Sequence, residues 1–282
     1  MTMLTPLVEL MRSHSPWCVL TGAGVSTDSG IPDYRDRQGK WKRPQPVSHQ
    51  AFISSNEVRQ RYWARALVGF KALEEATPGS AHHALAALEQ NGWVNGIITQ
   101  NVDRLHQRAG SRNVIDLHGR GDEVLCMSCG FRQPRTDWHS RLARLNPGWS
   151  ELDVAIAPDG DADIEGDFSD FEVPACPVCQ HGIIKPDVVF FGANVPKARV
   201  EQAMTMLHQS AGLLVVGSSL MVFSGFRFAR EAHAFGLPIV CLNQGRTRAD
   251  ELYTLKVDTG VGSGLEQLVK QLGVYPVNGR VI

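Results

Sequence analysis

Apolar residues in this chain gather into short continuous runs, separated by longer stretches with helical spacing. Residues 17–20, 213–216 and 239–242 are such runs, built from Val, Ile, Leu, Cys and Trp, with Pro238 before the last; 94–99 is a further strand-like stretch, Val-Asn-Gly-Ile-Ile-Thr. They are too short for buried helices and read as strands covered on both faces, as in a parallel sheet. A further short strand is expected at 114–118. The stretch 182–192 should return the chain to the main sheet, with Pro186 at a strand start or an edge. Between the strands, 1–16, 81–90, 197–210, 224–235 and 264–272 have helical periodicity, and another helix should begin near Arg104. Asn91-Gly92 is a stop signal for the second of these. Residues 49–76 form a longer helical stretch, with Phe52, Ile53, Val58, Tyr62, Leu67 and Phe70 as its apolar positions. Residues 40–48 and 77–80, rich in Pro, Gly and charge, read as loops. Strands alternating with helices predict an α/β fold: a doubly wound, Rossmann-like parallel sheet.

Composition narrows the class. The chain has 282 residues, room for a large domain and a smaller one. Formal net charge is −1, so no global basic field favours nucleic acid. No apolar run approaches the ~20 residues needed to span a membrane. The first 16 residues lack a basic segment followed by an apolar core, so no secretory signal is read there. A cytoplasmic protein, active without membrane or nucleic acid and monomeric, is expected.

The candidate chemistry begins just after the first strand. Gly22-Ala23-Gly24 allows a sharp turn and a close backbone approach to a ligand. Ser26, Thr27 and Ser29 can cap a helix start, whose free N–H groups suit a phosphate. The third glycine of a dinucleotide fingerprint would fall on Thr27, so the same residues also read as an ordinary βα turn. Pro32 prevents a long helix here, and Ile31, Pro32, Asp33, Tyr34, Arg35 and Asp36 read as a polar and aromatic loop over a ligand.

Other polar clusters follow strand ends, where open parallel sheets bind ligands. Gln100, Asn101 and Asp103 follow the second strand, although the last two could simply cap the next helix. His118 precedes a glycine; it reads as a structural histidine or as a base able to take a proton from a sugar hydroxyl. Gly217, Ser218 and Ser219 follow one later strand, and Asn243, Gln244 and Gly245 another.

Four of six cysteines form two C-x-x-C pairs, Cys126/Cys129 and Cys176/Cys179. Four thiolates at this spacing suit one closed, structural, tetrahedral Zn²⁺ site. Cys18 and Cys241 lie in apolar runs and read as core residues. Between the pairs, residues 161–172 have the oxygen spacing of a calcium loop, but Pro158 and Pro174 exclude its flanking helices. A solvated acidic loop is expected.

The run GAGVSTDSGIPDYR at 22–35 resembles the NAD-binding signature of the sirtuins, the NAD-dependent protein lysine deacylases. TQNVDRLHQRAG at 99–110, Leu117-His118-Gly119, the cysteine pairs and Val188-Val189-Phe190-Phe191-Gly192 follow in the family's order. The resemblance implies that His118 is the general base, and that Asn101 and Asp103 reach the nicotinamide and its ribose, with Gln100 and Val102 in the same pocket. It implies NAD contacts from Gly22, Ala23, Gly24, Ser26, Ile31, Pro32, Asp33, Tyr34, Arg35 and Trp41. Gly217, Ser218 and Ser219 would hold phosphate or ribose, Asn243, Gln244 and Gly245 the adenosine ribose, and Val261 the adenine. Val189, Phe190, Phe191 and Gly192 would pair with an acyl-lysine peptide as an added strand. Ala193-Asn194 departs from the family's usual Glu there, which bears on peptide preference.

Tyr62 and Arg65 have the Y-x-x-R spacing that binds acidic acyl groups in the desuccinylase branch, while residues 59–65 resemble the mitochondrial branch with weak deacetylase and ADP-ribosyltransferase activities. The pair also reads as an ordinary surface tyrosine and arginine. The expected organisation is a large NAD-binding domain from 1–40, 79–120 and 186–282. A small domain would combine a helical insertion, 41–78, with a zinc module, 121–185. The expected function is NAD-dependent transfer of an acyl group from lysine to ADP-ribose. The rival is protein mono-ADP-ribosylation at the same NAD site. A hydride-transferring dehydrogenase is disfavoured by the incomplete glycine fingerprint, and a zinc-ribbon nucleic-acid binder by the charge.

Overall fold

Side chains along the main strands alternate between two cores, and this sets the architecture. The strands β1 (Trp17–Thr21), β2 (Val94–Thr99), β3 (Val114–Asp116), β7 (Leu213–Val216), β8 (Ile239–Leu242) and β9 (Leu255–Val257) form one sheet in the order β3-β2-β1-β7-β8-β9. All its pairings are parallel. Trp17, Val19, Ile97, Leu214, Val216, Val240 and Leu242 point to one core. The alternate residues Cys18, Leu20, Ile98, Leu213, Val215, Ile239 and Cys241 point to the other. The first core is covered by α1 (Thr5–Ser13), α4 (Ser80–Gln90) and α9 (Val261–Leu272), and the second by α7 (Lys197–His208) and α8 (Phe223–Ala234). The structure, a computed structural model, describes residues 3–149, 164 and 166–274. The acidic run 161–172 lies partly outside them, so its calcium-loop spacing has no structural counterpart to compare.

The smaller unit has its own sheet, β5-β4-β6, made from β4 (Gly119–Cys126), β5 (Arg132–Pro134) and β6 (Ile184–Val188), all antiparallel. This corrects one expectation: the stretch 182–192 pairs with β4 in the small sheet and not with the main one. Pro186 does sit on an edge strand, where its missing N–H costs no ladder bond. A third core joins α2 (His49–Ser54), α3 (Asn56–Glu75) and α6 (Arg135–Leu145) to this sheet through Phe52, Trp63, Trp138, Leu142 and Ile184, with Cys126 and Cys176 inside it.

The helical stretch expected over 49–76 is divided between two helices. Ser55 is extended at φ −119° and ψ 129°, and its Oγ accepts a hydrogen bond from Val58 N at 3.2 Å. Ser48 does the same for Ala51 N. Each serine satisfies a free N–H and so starts a helix of its own. The strands β4, β5 and β9 and the helix α6 were not legible. Their mixed charge hides a burial pattern that follows tertiary neighbours: β4 alternates, and α6 buries Arg135 and His139 beside Trp138 and Leu142.

Candidate active site

The order of the main sheet reverses between β1 and β7, and the loops leaving the carboxyl ends of β1, β2, β7 and β8 meet there. Together with the segment after β6 they enclose a cavity of about 980 Å³. Gly22, Ala23, Gly24, Ser26, Ile31, Asp33, Tyr34, Arg35, Trp41, Gln100, Asn101, Val102 and Asp103 line it. So do His118, Val189, Phe190, Phe191, Gly192, Gly217, Ser218, Ser219, Asn243, Gln244, Val261 and Tyr62. Three anticipated residues do not: Pro32, Gly245 and Arg65 are absent from the lining. Sequence reasoning missed Ser224, Arg227 and Arg135, which do line it. The hydroxyl of Ser224, at the start of a helix just past Gly217-Ser218-Ser219, was the one available signal.

The glycines of the first turn serve the protein's own packing. Gly24 N donates to Gly217 O at 2.9 Å, and a Cβ at Gly24 would lie 2.9 Å from Gly217 Cα. A Cβ at Gly22 would meet Ser218 Cβ at 2.8 Å. Gly217 has φ +58°, which also favours glycine. The close approach is therefore between two strand-end loops, which brings the β1 and β7 turns together at the floor of the cavity. Gly245 works the same way from behind: at φ +79°, a Cβ there would meet Arg37 O at 2.3 Å. Arg246 N donates to that carbonyl at 2.8 Å, pinning the 31–42 segment.

That segment is a folded hairpin. Arg35 bridges Trp41 in antiparallel fashion, and its guanidinium lies 4.0 Å from the Trp41 ring centroid. Tyr34, Trp41 and Phe191 pack edge to face. Lys42 and Asp33 form an ion pair at its base.

Ser26 does not cap a helix as anticipated. The backbone there makes two short 3₁₀ turns, Ala23–Val25 and Thr27–Ser29, and neither has a side-chain cap. The buried Ser26 Oγ instead donates to Asp103 Oδ2 at 2.6 Å and accepts from Asn101 Nδ2 at 3.0 Å. His82 Nδ1 accepts from Gly79 N, which leaves Nε2–H aimed at Ser26 Oγ at 3.4 Å. Asp103 Oδ1 accepts from Leu105 N at 2.9 Å and so also caps α5 (Leu105–Arg108). The anticipated helix-start contact of Asp103 is thus present, in the same side chain that accepts from Ser26. Burial raises its pKa, against the opposing hydrogen bonds from Ser26 and Leu105.

His118 is held in one tautomer. Its Nδ1 lies 3.0 Å from the Gln100 carbonyl, which can only accept, so the proton is on Nδ1. Nε2 is left as an acceptor, and Ser224 Oγ donates to it at 2.7 Å. Burial, ahead of the nearby Arg199 and Arg227 charges, lowers the pKa of His118 to about 4. At neutral pH the ring is uncharged, with its unprotonated Nε2 against Ser224, and both residues line the cavity. Gln100 is fixed in turn by Ser218 Oγ, which donates to its Oε1 at 2.6 Å.

Val189–Gly192 do not form a strand. β6 stops at Val188, and Phe191 bridges Ser48 in parallel while its carbonyl accepts from His49 N at 2.8 Å. Val189 N donates to His118 O at 2.7 Å, which ties this segment to the histidine.

The four paired cysteines converge outside the cavity. Their sulfurs all lie within 4.8 Å of one another, with Cys126–Cys179 and Cys129–Cys176 at 3.7 Å. Tetrahedral Zn–S bonds of about 2.3 Å set sulfurs roughly 3.8 Å apart, so the cluster fits one structural Zn²⁺. Backbone N–H groups of Ser128, Cys129 and Val178 point at Cys126 or Cys176 sulfur, as thiolates require. Gly182 is obligatory beside them: a Cβ there would sit 2.2 Å from Cys126 Sγ.

Comparison with known proteins agrees with this geometry. Residues 22–224 match the Sir2 family. An NAD-dependent protein deacetylase of Xanthomonas campestris pv. campestris (strain 8004) is 58% identical over 260 residues, covering 92% of this chain and 88% of that protein. NAD-dependent protein deacetylase 2 of Bradyrhizobium diazoefficiens is 57% identical over 253 residues, covering 89% and 92%. A solved structure described as "Sir2-p53 peptide-NAD+" superposes with a TM-score of 0.79 at 32% identity, covering 97% of this chain and 99% of that one. The chain belongs to the Sir2 family.

Proposed function

We propose that the protein is an NAD-dependent protein lysine deacylase that moves an acyl group from lysine to ADP-ribose and releases nicotinamide. The observation that carries this is the fixed tautomer of His118, whose Nε2 faces the cavity as a neutral base. NAD as co-substrate supplies an activated ribose carbon with nicotinamide as leaving group, and one water completes the balance, so acyl-lysine, NAD and water give free lysine, nicotinamide and O-acyl-ADP-ribose.

The chain's own residues then have defined work. The Gln100 carbonyl keeps the His118 proton on Nδ1, so Nε2 can take a proton from a sugar hydroxyl. Ser224 holds that position until the hydroxyl displaces it. Ser26 orients the Asn101 amide and the Asp103 carboxylate, the groups assigned to the nicotinamide ribose. Gly22, Ala23, Gly24, Gly217, Ser218, Ser219, Asn243, Gln244 and Val261 hold the rest of the dinucleotide. The 31–35 hairpin, with Trp41, covers it, and Val189–Gly192 guide the acyl-lysine protein or peptide. The large unit, 1–40, 79–120 and 186–282, carries the NAD face. The small unit, 41–78 and 121–185, would carry zinc, and its core also takes in Val188 and Phe190, so its boundary with the large unit falls past β6 and not at 185. We read the enzyme as cytoplasmic and monomeric, without nucleic acid; among the described residues no helix is long and apolar enough to cross a membrane.

Mass spectrometry of acetyl- and longer acyl-lysine peptides, with and without NAD, tests the reading. NAD-dependent acyl loss, absent in His118→Tyr, is expected. ADP-ribose appearing on protein without acyl loss would replace the deacylase with a mono-ADP-ribosyltransferase.

A further inference from the structure

Beside Ser224 the cavity wall continues onto the surface as three arginines around one exposed aromatic ring. Phe223, the first residue of α8, lines the cavity and is 47% exposed. The guanidinium carbons of Arg227, Arg230 and Arg248 lie 5.3, 5.9 and 5.9 Å from its ring centroid. Any two of these cations therefore lie within about 12 Å, close enough to repel one another. Phe223, Arg227 and Arg230 share one face of α8, at helical spacing. Arg248 joins them from the loop after β8, held by Nη1 donating to the Met221 carbonyl at 3.1 Å. Among the described residues no acidic side chain forms an ion pair with any of the three. Glu231 pairs with His208 and Asp250 with Lys256, and the exposed Glu251 pairs with none of them. The chain's net charge is −1, so this is a local concentration of positive charge in a nearly neutral protein.

The position of the patch indicates what fits it. Val222, Phe223, Ser224 and Arg227 line the cavity, whereas Arg230 and Arg248 lie outside the lining and are exposed. A ligand held wholly inside, as the dinucleotide would be, does not reach the outer pair. A chain that leaves the cavity past Ser224 does. The exposed ring offers such a chain apolar contact, and the guanidinium forks match carboxylates. Aromatic residues and arginine are also the types enriched at protein interfaces. We infer that Phe223, Arg227, Arg230 and Arg248 form a docking surface for an acidic stretch of the protein substrate, on one side of the acyl-lysine. An extended chain advances about 3.3 Å per residue and alternates its side chains, so carboxylates two residues apart face the same patch about 7 Å from each other. The preferred flank is thus Asp or Glu, any residue, then Asp or Glu. This rests on the deacylase reading and names the substrate sequence it favours. A protein segment is favoured over nucleic acid because the patch opens from the cavity that would receive the acyl-lysine.

Fluorescence anisotropy with labelled acetyl-lysine peptides tests this on the zinc-loaded protein. One peptide carries Glu-x-Glu on the amino side of the lysine, one carries it on the carboxyl side, and a third has Gln at all these positions. One acidic peptide should bind about fivefold or more tightly than the Gln peptide, as two exposed charge pairs allow. That ratio should shrink as salt rises from about 0.05 to 0.5 M. The double variant Arg230→Gln/Arg248→Gln should remove most of the preference. Lys71→Gln/Lys270→Gln, which takes the same charge from α3 and α9, should keep it. The inference is overturned if neither acidic peptide outbinds the Gln peptide, or if the folded arginine variant keeps the preference. Loss of NAD affinity in that variant, measured by calorimetry, would assign the arginines to the dinucleotide and also overturn it. So would a labelled single-stranded oligonucleotide that binds more tightly than either acidic peptide and is lost in the same variant. Because the first comparison needs no variant, a substitution that fails to fold leaves the answer intact. NAD-dependent turnover of the Gln peptide, measured in parallel, tests the deacylase reading on its own.

Discussion

Ser224 Oγ lies 2.7 Å from His118 Nε2 and occupies the lone pair that a general base must offer. The serine opens α8, beyond β7, whereas His118 lies between β3 and β4, so the contact spans the sheet's switch point. A hydroxyl donating to a neutral imidazole stabilises the uncharged ring. Ser224→Ala should therefore raise the His118 pKa, and the acid limb of the kcat/KM–pH profile should shift to higher pH. His118→Ala should cost about 10²- to 10⁴-fold in kcat, the usual worth of a general base. An unchanged profile in Ser224→Ala would remove the serine from the proton path.

Acid should destabilise the fold through its buried histidines. His82 is lowered to about 4 and His106 and His139 well below the ordinary value, in each case chiefly by burial. Their folded pKa values lie below the unfolded value of about 6.5, so the unfolded chain binds protons first as pH falls. The stability they permit is complete above about 6.5; the His82 part declines through the range down to about 4, and the His106 and His139 parts go on declining as pH falls. Each can contribute a slope of up to about 1.4 kcal/mol per pH unit. Urea melts at pH 7 and pH 5 check this, and His82→Gln should flatten the difference.

Zinc removal should act through folding. Cys126 and Cys176 belong to the same core as Trp63 and Trp138. A strong chelator should change tryptophan emission and abolish activity together, and added Zn²⁺ should restore both. Activity lost with emission unchanged would mean that the metal does more than hold the small unit.

Gly24→Ala should lower stability by about 1–3 kcal/mol, because its Cβ would meet the Gly217 backbone and force the two turns apart. NAD binding should weaken as well, since those turns form the cavity floor. Thermal melts with and without NAD separate the two effects: the stabilisation by NAD should shrink along with the starting Tm.

Ser26→Ala should leave Asp103 Oδ2 and Asn101 Nδ2 without the hydroxyl that joins them. A loss of about 1–3 kcal/mol is expected for unsatisfied buried polar groups. KM for NAD should rise more than kcat falls, and steady-state kinetics would show the split.

What could be read from one sequence came from local rules. The apolar runs at 17–20, 213–216 and 239–242, with the strand-like stretch 94–99, pointed to the parallel sheet, because strands buried on both faces are rich in apolar residues. The two C-x-x-C pairs gave the metal cluster, since their spacing alone forms the knuckles. The polar residues just past strand ends gave one part of the cavity lining, as strand ends converge in any doubly wound sheet, while Trp41, Val189–Gly192 and Val261 came only from the family resemblance.

The rest depended on contacts between residues far apart in the chain. Ser26 looked like a helix cap, and only folding brings Asp103, Asn101 and His82 to its hydroxyl. Gly22 and Gly24 looked like ligand-approach glycines, and only the β1–β7 pairing shows that Gly217 needs the space. Arg135 carried no local signal, and its burial follows from Phe70, Trp63 and His139, which no local pattern connects to it. Periodicity and spacing report what a residue does to its own segment. The tautomer of a base, the partner of a hydroxyl and the burial of a charge are set by neighbours that only the tertiary structure assembles.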